Sequence, residues 1–182
     1  MKKIIIIGAG AMGSAFAVPC LENKNEVTLV GTHLEDELIN NIQLNDNFHP
    51  ALNTKLPSKL KVEKFKKLQS ILEEGADIIV AGVSSVGIEW FVKQITKSYK
   101  KNTPIILLTK GLAIEENELI TLSDKIKKLL KDQGHTDVNI SAIKGPCLAA
   151  GLAYKMRTGT VIANPDIKET EKLKKIISTN YY

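Results

Sequence analysis

The stretch IIIIGAGAMG carries Ile4 to Ile7 directly into Gly8, Gly10 and Gly13, spaced as GxGxxG. A glycine at the first position permits a tight turn, and at the second it lets backbone approach a pyrophosphate. At the third it lets a helix pack closely on a sheet. A helix that starts there presents free N–H groups to phosphate. The spacing alone is weak, but here an apolar run precedes it and a helical pattern follows, which is the context a dinucleotide site demands. A glycine-rich turn without a ligand is the competing reading.

Such a site grips the 2′-hydroxyl of NAD with an acid about 20 residues further on. That place falls in LVGTH, where Thr32 stands. No acid follows until Glu35, and no arginine is present to receive a 2′-phosphate. Thr32 and His33 are candidates for an adenosine pocket or ordinary turn residues, so the choice between NAD and NADP stays open.

Two further apolar runs end on polar residues. IIVAGVSSVGIEW places Ser84 and Val86 beyond a strand end, where Ser84 could touch cofactor or cap the next helix. PIILLTKGL runs Ile105 to Leu108 into Thr109, Lys110 and Gly111. A lysine at that place can meet the nicotinamide edge or a substrate oxygen, or be simply solvated. In IKGPCLAAGLAYK, Gly145 and Pro146 turn the chain into the small residues Cys147, Ala149 and Ala150, which leave room for a ligand. With no supporting histidine evident, Cys147 reads as a packing residue and not a nucleophile.

These residues must be held by the elements around them. Strands are expected at Lys3 to Ile7, Glu26 to Val30, Asp77 to Ala81, Ile105 to Leu108, Val138 to Ala142 and Thr160 to Ala163. Helical patterns lie at Ala11 to Asn23, Leu34 to Leu44, Lys66 to Glu74, Ile88 to Ser98, Glu116 to Lys131 and Ile167 to Ser178. Runs without alternation, such as Ile4 to Ile7 and Ile78 to Val80, suit strands covered on both faces. The alternation predicts an α/β fold: a Rossmann-like, doubly wound, mostly parallel sheet in one dinucleotide-binding domain over 1–182. Asn45 to Lys59, polar and carrying Pro50 and Pro57, reads as a long excursion. Pro19, inside the first helical pattern, should kink that helix or end it early.

Composition narrows the class. The chain is 43% hydrophobic and 25% charged, with no apolar run near the length of a membrane span. Ile4 to Ile7 is too short for a signal peptide, and two cysteines make no disulfide framework, so a cytoplasmic protein is expected. The net charge of +5 comes largely from lysines interleaved with acids, which suits solvated faces better than a nucleic-acid groove. No metal-ligand spacing is evident.

GAGAMGSAFA, LLTKGL and GPCLAAGLA, taken in order, resemble the N-terminal domain of the NAD(P)-dependent glycerol-3-phosphate dehydrogenases. That family shows a GxGxxG opening, a Ser/Thr-Lys-Gly after a strand and a Gly-Pro-Ser-x-Ala turn. The resemblance spans essentially the whole chain. It implies reversible hydride transfer between NAD(P)H and dihydroxyacetone phosphate, giving sn-glycerol 3-phosphate. By the same resemblance Lys110 touches substrate beside the nicotinamide, and Gly145 and Cys147 are substrate-side positions. Ala11, Met12, Thr32 and Ala149 match cofactor contacts. Cys147 departs from the family's usual serine, and Thr32 from its usual arginine or larger residue. Family members continue into an all-helical second domain that supplies the general-acid lysine and the phosphate-gripping residues. The resemblance therefore implies a cofactor domain of a longer enzyme, compatible with a homodimer at full length and nearly inactive by itself. A ketopantoate-reductase-like enzyme or a non-catalytic nucleotide-sensing domain are the alternatives.

Overall fold

Strand and helix alternate through residues 1–182 of the computed structural model. The chain opens with β1 (Lys3–Ile7), α1 (Ala11–Glu22), β2 (Glu26–Val30) and α2 (Asp36–Leu44). A small ribbon of β3 (Phe48–His49) and β4 (Thr54–Lys55) precedes β5 (Lys61–Glu63) and α3 (Leu68–Glu73). Then come β6 (Ile78–Ala81), α4 (Ile88–Ile95) and β7 (Ile105–Leu107). A hairpin of β8 (Leu112–Glu115) and β9 (Glu118–Thr121) leads into α5 (Leu122–Asp132). The chain closes with β10 (Ile140–Lys144), α6 (Ala149–Ala153), β11 (Val161–Ala163) and α7 (Ile167–Ile177).

Seven strands make one sheet in the order β11-β10-β7-β6-β1-β2-β5. Every pair is parallel except β10 with β11. From β1 the chain winds toward β2 and β5, and from β6 it winds the other way. The order therefore reverses between β1 and β6, and the crevice outside their carboxyl ends is where such sheets hold ligands. This is the Rossmann-like doubly wound sheet that the alternation predicts.

The unalternating strands have the expected cause. Ile4 and Ile6 pack into one core beneath α1, and Ile5 and Ile7 into another beneath α4, all four fully buried. No helix is long and apolar enough to cross a membrane.

Three expectations need correction, and one strand was not foreseen. The helix expected from Glu116 begins only at Leu122, because Leu112 to Thr121 form a hairpin instead. Its two-residue loop, Glu116-Asn117, has positive φ at both positions (49° and 65°), the turn whose twist matches paired strands. Pro19 does not end α1, which runs on to Glu22 with Gly13 to Cys20 buried. Packing on both sides of the helix offsets the hydrogen bond that proline removes. The Asn45 to Lys59 segment is not merely an excursion, since His49, Leu52 and Leu56 are buried within it. The edge strand β5, in a lysine-rich stretch, was not expected; only Val62 of its three residues is buried.

Candidate functional site

The turn after β1 is fixed by backbone packed on backbone. Gly8 N–H donates to Val30 O at 2.9 Å, and Gly82 N–H donates to Ile7 O at 2.8 Å, so the ends of β2, β1 and β6 are tied together. A Cβ on Gly8 would lie 2.6 Å from Gly82 O, and one on Gly13 would overlap Gly8 O outright. Gly10 differs: an added Cβ there would meet only Glu35 Oε1, at 3.8 Å. Gly10 also caps α1 without a side chain, and Ala11 and Met12 of the first turn are half-buried at the crevice. First-turn N–H groups beside such an open cradle suit a pyrophosphate.

Three side chains, from α1, β3 and the loop before α2, hold Ala9 between the glycines. Its N–H donates to Glu35 Oε2 at 2.9 Å. Its carbonyl accepts the Ser14 hydroxyl at 3.0 Å and faces His49 Nε2 at 2.9 Å. His49 Nδ1 accepts Leu52 N–H at 3.3 Å, so Nε2 carries the proton it gives to Ala9. His49 is fully buried. Sequence reasoning missed it, since a histidine beside Pro50 in a polar stretch signals nothing local.

Thr32 N–H donates to the same Glu35 Oε2, at 2.8 Å, and its hydroxyl accepts Leu34 N–H at 3.4 Å. His33 is exposed and stands in an aromatic cluster, 5.1 Å from Trp90 and 6.0 Å from Phe65 between ring centroids. Thr32 and His33 thus lie just beyond the carboxyl end of β2, while Glu35, Phe65 and Trp90 join them only through the fold. The signal for Glu35 was its distance from the glycines, slightly longer than usual.

Beyond β6, Ser84 begins a 3₁₀ turn without capping it through its side chain, which sets aside the capping role. Val86 is 90% exposed, an apolar side chain standing free at the crevice edge. Thr109, buried, ties the neighbouring strand end to this loop by donating to Val83 O at 2.6 Å.

Lys110 and Lys144 brace the next two strand ends reciprocally. Lys110 Nζ donates to Gly145 O at 2.8 Å and reaches Cys147 O at 3.5 Å. Lys144 Nζ donates to Thr109 O at 2.9 Å. Burial, and then the Lys110 charge, lowers the pKa of Lys144 below the ordinary lysine value. Lys144 was not singled out from the sequence; a lysine closing a strand gave no reason to turn inward. Gly145 and Cys147 therefore reach Lys110 through carbonyl groups. The Cys147 thiol is buried in the core beneath α1, as the packing reading has it, with only a long contact from Sγ to Leu148 O at 3.9 Å. Ala149 begins α6, which packs on α1.

A groove of about 960 Å³ lies at the opposite, amino edge of the sheet, between Lys2, Asp77, Asn139 and Asp166. Within it Lys2 pairs with Asp77 at 3.1 Å and Lys172 with Glu169 at 2.5 Å. Nowhere do three His, Cys, Asp or Glu side chains gather to hold a metal ion.

Residues 3–170 match the family model described as NAD-dependent glycerol-3-phosphate dehydrogenase N-terminus. An NADP(+)-dependent glycerol-3-phosphate dehydrogenase of Archaeoglobus fulgidus is 35% identical over 181 residues, 98% of this chain and 51% of that protein. A glycerol-3-phosphate dehydrogenase [NAD(P)+] of Mesoplasma florum is 30% identical, over 100% of this chain and 52% of its own length. The chain thus spans about half the length of these relatives. Among solved structures, glycerol-3-phosphate dehydrogenase from Coxiella burnetii superposes with a TM-score of 0.82 at 22% identity, over 98% of this chain and 51% of that one. This likeness establishes the shared fold.

Proposed function

The chain belongs to the family described as NAD-dependent glycerol-3-phosphate dehydrogenase N-terminus, and from that premise we propose that it is the cofactor-binding half of a glycerol-3-phosphate dehydrogenase. The reaction is reversible hydride transfer between NAD(P)H and dihydroxyacetone phosphate, giving sn-glycerol 3-phosphate. Lys110 carries the reading: it follows the carboxyl end of β7, and its ammonium donates to Gly145 O at 2.8 Å.

The residues present fit a dinucleotide. The open cradle at Gly10, with Ala11 and Met12 in an uncapped first turn, suits the pyrophosphate. Thr32 and His33 border the adenosine end, while Ser84, Val86 and Ala149 border the path toward Lys110. When bound, the nicotinamide supplies or accepts the hydride. Lys110 orients the substrate and faces the oxygen on which negative charge grows when a ketone is reduced, so its fixed charge favours that state over the ground state. Lys144 adds a second positive charge beside it, which favours a phosphorylated substrate. The proton for the alkoxide comes from a lysine in the second, helical half that the resemblance implies.

The test is oxidation of NADH and of NADPH by the natural full-length protein, with dihydroxyacetone phosphate and, as a rival, ketopantoate. Turnover with dihydroxyacetone phosphate alone is expected. Turnover with ketopantoate alone would overturn the assignment.

A further inference from the structure

Thr32 occupies the place where an acid would normally read the adenosine ribose, which leaves cofactor preference undecided by sequence. Glu35 reaches the same corner from further along the chain. Its Oε2 accepts two backbone N–H groups, from Ala9 at 2.9 Å and Thr32 at 2.8 Å. These donors come from the two strand ends that flank an adenosine ribose in this fold, β1 and β2. One carboxylate oxygen is thereby fixed, and Oε1 is left beside Gly10, 3.8 Å from where a Cβ on that residue would stand. A fixed acceptor oxygen at that place suits a vicinal diol, which has hydroxyl protons to give. It opposes a 2′-phosphate, which brings negative charge and only acceptor oxygens.

Charges of both signs surround that corner. The chain's one arginine is Arg157, in the loop after α6 and remote in sequence from this corner. The basic residues of the neighbouring segments are His33, Lys64, Lys66 and Lys67. Set against them are Asp36 and Glu37 in the first turn of α2, with Asp36 Oδ1 accepting the Phe65 N–H at 3.4 Å. His33 is engaged face and edge with Trp90 and Phe65.

We propose that Glu35 is the specificity residue for the cofactor: it receives the ribose diol and excludes a 2′-phosphate, so this chain prefers NAD(H) to NADP(H). The proposal rests on the dinucleotide reading above, and it separates this chain from the Archaeoglobus relative, whose name is NADP(+)-dependent.

The test measures affinity, not turnover. In the natural full-length protein, NADH and NADPH are titrated separately against wild type and Glu35→Gln. Bound nucleotide is followed by the nicotinamide's own fluorescence, and Trp90, in the cluster with His33, serves as energy donor. Glutamine keeps an oxygen for the two backbone N–H groups and removes the charge. Wild type is expected to bind NADH at least roughly 10-fold more tightly than NADPH. Glu35→Gln is expected to remove most of that ratio, chiefly by tightening NADPH. Equal or tighter NADPH binding by wild type would overturn the proposal. So would a parallel loss for both nucleotides in Glu35→Gln, which would make Glu35 a structural anchor only. If Glu35→Gln fails to fold, Glu35→Asp carries the test, since it retains the charge. Preference for NADH is then expected to persist, and its loss in a folded protein would overturn the proposal. Binding of neither nucleotide by wild type would instead overturn the dinucleotide reading itself, and the proposal with it.

Discussion

Gly8 and Gly111 share an unusual backbone, with φ of +110° and +118°, yet their surroundings are opposite. A Cβ on Gly8 would lie 2.6 Å from the Gly82 carbonyl oxygen, whereas one on Gly111 would meet nothing within 4 Å. The same contrast holds for the flanks of the crevice they belong to. On the β1 side, backbone packs on backbone and buried side chains from Ser14 and His49 lock the turn between. On the β7 side, two long lysines reach across to carbonyl groups, beside a hairpin whose Leu112, Ile114 and Leu119 are exposed. The first flank is a rigid cradle whose shape is part of the fold. The second is a set of charges held over open space, so its chemistry can change while the fold stands.

Gly8→Ala tests the rigid flank most severely. Backbone strain of about 1–3 kcal/mol is common to Gly8→Ala and Gly111→Ala, but only the first adds an overlap with backbone. Gly8→Ala is expected to cost at least about 2 kcal/mol more in chemical denaturation, and to abolish nucleotide binding. Equal costs for the two variants would erase the distinction between the flanks.

Lys110→Met probes the open flank. In the full-length enzyme it is expected to lower turnover by roughly 100-fold, the scale for removing one group that stabilises a developing oxyanion. Nucleotide affinity and the melting temperature should hardly move. Unchanged turnover would remove Lys110 from the chemistry.

His49→Leu returns to the first flank with a smaller change. It removes a donor from Ala9 O, which Ser14 still serves, and leaves Leu52 N–H buried without its acceptor. A loss of about 1–3 kcal/mol is expected, read by urea denaturation, together with weaker nucleotide binding. Lost stability with unchanged binding would show that the glycine turn holds its shape without His49.

Asp77→Asn, at the amino edge far from both flanks, should have the smallest effect. The Lys3 N–H at 2.8 Å, and then the Lys2 ammonium, hold the Asp77 carboxyl below its ordinary range. Its folded pKa is lowered, so its contribution is present above the unfolded carboxylate pKa and lost as pH falls through the folded one. Because the side chain is 42% exposed, screening keeps that contribution under about 1 kcal/mol. The stability difference between wild type and Asp77→Asn should therefore be visible at neutral pH and vanish in acid. A difference that grew in acid would contradict the assignment.

The amino-acid sequence by itself determined the elements whose signals are local. Expected and observed bounds coincide for β1 and β2, because each has four successive buried residues that end directly before a glycine. The glycines announced their turn, since only residues without a side chain allow that approach of strand and helix. Lys110 was legible from its position after Ile105 to Leu108. The hairpin of β8 and β9 was harder, because its glutamates and leucines also suit a helix and Asn117 was the one turn signal.

Tertiary structure alone decided the partnerships. Glu35 and Ala9 are 26 positions apart and His49 and Ala9 are 40, and no spacing rule predicts that both would meet one peptide unit. The reciprocal bonds of Lys110 and Lys144 likewise require β7 and β10 to be neighbours, a consequence of strand order. Periodicity and glycine placement are properties of a short segment and survive in the sequence. Which carboxylate reaches which N–H depends on how distant segments are brought together, and that is settled only when the sheet forms.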